Sequence, residues 1–123
     1  MKVSLTNQES ENLFFNALCN GLHYVSSYGL ELDFNETEYQ NNRKPNDSFE
    51  DVLMSMLRNG CTLTLNDIEC EGEYTSTISL NDVHEKVSLT PTNHLMAAIN
   101  ENGDADTADV IIQSVFFGEI IFG

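Results

Sequence analysis

Asp67-x-Glu69-x-Glu71-x-Glu73 places a carboxylate at every second position, with no lysine or arginine among them. In an extended chain, alternate side chains fall on one face, about 6.6–6.8 Å apart. A row of charges on such a line resembles a strip of regularly spaced phosphates. The row is therefore a candidate contact for a basic groove that ordinarily holds nucleic acid. The competing reading is structural, because charges on strand edges and turns oppose edge-to-edge association. A bend at Gly72 also removes the even spacing. Glu31, Asp33, Glu36 and Glu38 form a second acidic group and are assigned the same role.

Asp104, Asp106 and Asp109 are the candidate ligands for a divalent cation, since hard cations take oxygen donors in undemanding geometry. The flanking Asn100–Asp106 stretch does not fit an EF-hand. With Gly103 at loop position six, Ala98 falls at position one, and a start at Asn100 puts Ala105 at six and Ile111 at twelve. A helix C-cap followed by an acidic N-cap accounts for the same residues without a metal.

Conventional catalytic groups are sparse. His23, His84 and His94 lie in no H-x-x-x-H pattern, the cysteines make no C-x-x-C, and no nucleophile elbow or glycine-rich phosphate loop occurs. Isolated imidazoles without partners are read as surface or boundary residues. Cys19 and Cys61 fall in apolar patterns and are expected to be buried. Cys70 is expected at an exposed turn, where Glu69 and Glu71 disfavour its thiolate. No acid–base pair or nucleophile stands out, so the chain is read as non-enzymatic and no cofactor is expected.

The elements that must position these groups follow from periodicity. Thr6 and Glu9 make a capping-box pattern opening a helix from about Asn7 to Tyr28, with Phe14, Leu18, Leu22 and Val25 as its apolar stripe and Gly29 as terminator. Leu30–Phe34 alternates as a half-buried strand. Residues 35–46 lack a period and read as a loop with about one helical turn. Asp47 and Glu50 cap a second helix, whose inward face is Phe49, Val52, Leu53, Met56 and Leu57, ending at Gly60. A hairpin spans about 61–80 with its turn around Glu69–Gly72. Asn81 caps a short helix, Thr90-Pro91 opens another that ends at Gly103, and Asp106 and Asp109 start a last helix to about Phe117.

The C-terminal Val115–Phe122 segment is too apolar to be left in water. It is expected to complete the sheet and core. The alternative is a self-association surface made of Phe116, Phe117, Ile120, Ile121 and Phe122 in a homo-oligomer.

Length and composition bound the class. A chain of 123 residues, 41% hydrophobic, is one domain with a folded core. The sum is an α+β fold, a small antiparallel sheet made of the hairpin and the 30–34 strand, covered by four or five helices. Twenty carboxylates against five lysines and arginines give a formal net charge of -15. Such a field repels phosphate backbones and anionic membranes and favours a basic partner. The opening Met1–Thr6 carries no apolar signal core, no transmembrane run exists, and the odd cysteine number lacks metal spacing. A cytoplasmic, reducing location is therefore expected. The function these readings favour is a non-enzymatic acidic interaction module, an inhibitor or regulator of a basic nucleic-acid-binding protein of the phage or mobile-element accessory type.

Overall fold

The computed structural model describes Ser4–Gly123; Met1–Val3, which open the stretch read for a signal, lie outside the described residues. Thr6 Oγ1 accepts the Glu9 amide and the Glu9 carboxylate accepts the Thr6 amide, forming the capping box of α1 (Asn7–Gly21). The expected single long helix is broken after Gly21. Glycine is a poor helix former, and at Leu22 the chain tightens so that the Val25 amide reaches back only to the Leu22 carbonyl. The remainder forms α2 (His23–Ser27), and Gly29 follows in the left-handed region.

Strand β1 (Leu30–Asp33) is antiparallel to β2 (Leu63–Asp67), which is antiparallel to β3 (Ser76–Ile78), so β2 is central. Leu32 faces Leu65, and Leu63 faces Ile78. With a side-chain period of two, Leu30, Leu63, Leu65 and Ile78 share the buried face. Glu31, Asp33, Thr64, Asn66 and Thr77 take the outer one.

The fold class is α+β, as expected, but the helices number seven among the described residues rather than four or five. The split of the first helix adds one. Residues 35–46 add another, because Asn35 caps the Glu38 amide and supports the two turns of α3 (Glu36–Asn42). The cap of α4 (Phe49–Arg58) is Ser48 with Asp51 instead of Asp47 with Glu50, Asp47 having turned back to accept the Lys44 amide. Ser79 and Asp82 begin α5 (Leu80–Lys86), a short 3-10 turn (Val87–Leu89) follows, and α6 (Thr92–Ile99) starts after Pro91. Helix α6 ends earlier than Gly103. Glu101 takes the left-handed conformation and the Asn102 amide bonds the Ala97 carbonyl, the 6→1 bond of a Schellman termination.

Helix α7 (Ala105–Phe117) ends where the sequence predicts and lies at the centre of the core. Every residue from Thr107 to Phe116 is buried. Phe14 of α1 meets Phe116 with ring centroids 6.4 Å apart. The tail beyond Gly118 joins the core without joining the sheet. Gln113, 2% exposed, does the work of a neighbouring strand. Its Oε1 accepts the amides of Ile121 and Phe122, both at 2.8 Å, and its Nε2 donates to the Phe122 carbonyl at 3.0 Å. Phe122 thereby stacks on Tyr28 at 5.0 Å and meets Tyr74 edge-on at 5.3 Å. No helix among the described residues is long and apolar enough to cross a membrane.

Helices α1 and α7 approach closely at Gly21. A Cβ placed there would lie 2.9 Å from both the Ala108 Cβ and the Asp109 backbone nitrogen. Because rigid backbone and a core alanine cannot withdraw cheaply, Gly21→Ala is expected to destabilise the protein by about 1–3 kcal/mol. This outweighs the roughly 0.4–1 kcal/mol that alanine contributes by restricting the unfolded chain. Urea denaturation measures the sign and size.

Candidate functional site

The acidic row is where chemistry was expected, and the chain does not run extended through it. Strand β2 stops at Asp67, whose side chain lies on the buried face of the sheet with the residue only 6% exposed. Its carboxylate accepts the amides of Cys70 at 2.8 Å, Tyr74 at 3.0 Å and Glu69 at 3.2 Å. The Cys70 amide chiefly, with those of Tyr74 and Glu69, holds the Asp67 carboxyl below its ordinary value against the opposing effect of burial. Around this anchor the chain folds into a compact double turn, with Glu71 and Gly72 both at positive φ. The evenly spaced row of carboxylates is therefore absent. Asp67 is turned inward as an organiser, and Glu69, Glu71 and Glu73 stand exposed on the tip with Ile68, which is 64% exposed.

The tip is tied to the second acidic group. The Ile68 amide donates to the Gly29 carbonyl at 3.0 Å, and the Glu69 side chain lies over Gly29, filling the space a Cβ would need. Gly29 (φ +77°) thus serves both the left-handed turn and this close approach. Two residues on, Glu31 and Asp33 project from the outer face of β1, opposite Asn66 and Thr64, and Asn66 Nδ2 donates to Asp33 at 3.0 Å. Glu36 and Glu38 continue into the first turn of α3, Glu36 exposed and Glu38 half-buried. Sheet register thus puts Glu69, Glu31 and Asp33 along one edge, a proximity that chain order alone does not reveal.

The three aspartates proposed for a cation do not converge, and no group of three or more potential ligands exists among the described residues. Asp104 caps α7 through the Thr107 amide, Asp106 accepts the Tyr24 hydroxyl at 3.0 Å, and Asp109 accepts the Tyr28 hydroxyl at 2.7 Å. Burial and the Asp109 carboxylate push the Tyr28 phenol far up. Each has its own partner: Asp104 is the α7 N-cap, while Asp106 and Asp109, one helical turn apart on the same face, are each taken by a tyrosine hydroxyl.

The self-association segment is likewise redistributed. Phe116 is 2% exposed, Phe117 and Phe122 pack against the core, Ile121 is half-buried, and Ile120, 45% exposed, is the most exposed of the five. The cysteine expectations divide as well. Cys70 is exposed, Cys61 is half-buried, and Cys19 is exposed instead of buried, lying on the side of α1 that faces Glu50. Desolvation and the surrounding carboxylates push all three thiols up, so none is predisposed to be a nucleophile.

One charged cluster escaped the sequence reading. Glu11, 9% exposed on α1, accepts Arg58 Nε from the end of α4 and pairs with His84 Nε2 of α5, each at 2.8 Å. The signal for it was present: Glu11 lies three residues before Phe14 and seven before Leu18, on the inward stripe of α1, where a carboxylate requires partners. Burial alone would raise the Glu11 carboxyl, and the bonds from Arg58 and His84 outweigh it, so the group ends below its ordinary value of 4.5. A depressed folded-state value stabilises the fold above the unfolded value, and this contribution is lost as pH falls through the folded value. Glu11→Gln is therefore expected to cost roughly 1–3 kcal/mol at neutral pH and to flatten the stability profile below about pH 4.5. Urea denaturation across that range measures both.

No protein-family model matches this chain, and neither the curated proteins nor the solved structures contain a match to it.

Proposed function

We propose that this chain is a non-enzymatic interaction protein that offers its acidic edge to a basic partner. The observation that carries the reading is the accounting of charge. Among the described residues, Glu11 and Asp82 are the only carboxylates paired with a basic side chain, Glu11 with Arg58 and the His84 imidazole and Asp82 with Lys86. The other carboxylates meet solvent or uncharged hydrogen-bond donors among the described residues. A hydrogen-bonded tip with Glu69, Glu71 and Glu73, continued by Glu31 and Asp33, concentrates that excess where a partner can approach. Preorganised charge steers encounter and selects partners of opposite sign.

The compact turn alters the form of this reading. An evenly spaced mimic of a phosphate strip is not what the tip offers, so complementarity to a basic protein surface replaces imitation of nucleic-acid spacing. A regulator or inhibitor that occupies the basic face of a nucleic-acid-binding protein remains the concrete version.

Tagged protein incubated with source-cell lysate is expected to capture a basic protein at low salt and to lose it as salt screens the charges. Combined Glu69→Gln, Glu71→Gln and Glu73→Gln is expected to weaken that partner by about tenfold or more. Asp67→Ala keeps those charges but loosens the turn, and is expected to give a smaller loss. Capture indifferent to both salt and the tip substitutions would rule the proposal out.

A further inference from the structure

A second surface combines charge with apolar shape. Helix α1, the end of α6 and the start of α7 enclose an open groove of about 280 Å³, and an adjoining cleft of about 320 Å³ extends it along α1 towards Leu5. Its floor is apolar, formed by Leu13, Ala17, Ala98, Ala108 and Ile111. Alanines at three of these positions leave the depression that larger side chains would fill. The rim is of one sign. Glu9, Glu101 and Asp104 border the two clefts together with Asn16 and Asn20, and among the described residues no lysine, arginine or histidine lines either. Ile99 and Met96, 38% and 39% exposed, extend the apolar surface along α6.

We infer that this groove receives a short cationic amphipathic helix from a partner protein, its apolar side on the alanine floor and its lysines or arginines against the rim. An apolar helix face laid into a groove is a common mode of peptide recognition, anchored by residues at i, i+3 or i+4 and i+7. Charge selects among possible occupants. A second copy of this chain brings the same acidic rim and net charge of -15 to the contact, whereas a basic helix neutralises it. Glu9 and Asp104 keep their charge near the groove because each carboxylate also accepts backbone amides, which holds both below their ordinary values. The inference shares with the proposed function only the sign of the partner. Its site is a separate surface with its own apolar component.

The test uses a fluorescent leucine–lysine peptide of about four helical turns with leucines on one face, and a shuffled peptide of the same composition with leucines spread around the helix. Anisotropy is expected to show the amphipathic peptide binding about tenfold tighter than the shuffled one. Asn16 is exposed on the rim shared by both clefts, so Asn16→Arg should leave the urea midpoint in place and weaken the amphipathic peptide by about tenfold. The triple glutamine variant at the tip is expected to change that affinity by less than about twofold. Equal affinity for the two peptides, or an Asn16→Arg protein that binds unchanged, overturns the inference. So does sedimentation of the protein alone as a dimer that Asn16→Arg dissociates. Peptide binding lost through the tip and not through Asn16 would sink the groove while leaving the acidic-edge reading intact. Lysate capture insensitive to the tip, with the groove responding as expected, gives the reverse.

Discussion

Everything in this fold is arranged around the burial of α7. A helix enclosed on nearly every side must meet neighbours at short range and must satisfy each polar side chain it carries. Gly21 meets the first demand, letting the α1 backbone close onto Ala108 and Asp109. The second demand recruits the periphery. Asp109 draws in the Tyr28 hydroxyl beyond the end of α2, Thr107 engages His94 of α6 at 3.1 Å, and Gln113 holds the C-terminal tail. Ser76 of β3 reaches the Phe116 carbonyl. The polar residues of α7 are thus the points at which helices, sheet and tail are keyed to one another.

How far the sequence discloses this depends on the range of the interaction. Local signals read well: the Thr6–Glu9 capping box, the apolar stripe of α4, the alternation of the strands and the glycine stops at Gly29 and Gly60 all lie within a few residues of what they determine. Failures begin where one residue or one side chain outweighs the period of its neighbours. The 22-residue first helix breaks because Gly21 is a poor helix former, its place next to α7 following from tertiary packing. The Asp67–Glu73 row alternates as a strand would, but the turn expected around Glu69–Gly72 prevails, and what the sequence leaves unseen is that the Asp67 carboxylate captures three amides of that turn. The terminal segment reads as sheet by its β-branched and aromatic residues and is held instead by one buried glutamine, which no propensity scale describes.

The candidate site was legible in composition and illegible in shape. Carboxylate excess is visible by counting, and its lack of internal compensation is visible only once the ion pairs are known. Arg58 and His84 are spent on Glu11, and Lys86 on Asp82. Stability must then come from apolar packing around α7 and from satisfied buried polar groups, with the surface charge acting against compactness through self-repulsion.

The central claim, that this acidic surface is uncompensated within the fold, is tested most directly by the melting temperature as a function of sodium chloride. Between about 0.01 M and about 0.5 M the screening length shrinks from roughly 30 Å to a few Å. Unpaired like charges predict that the melting temperature rises over this range, because repulsion is screened while apolar burial is kept. A melting temperature that falls with salt would show that ion pairs hold the fold together, and would contradict the account.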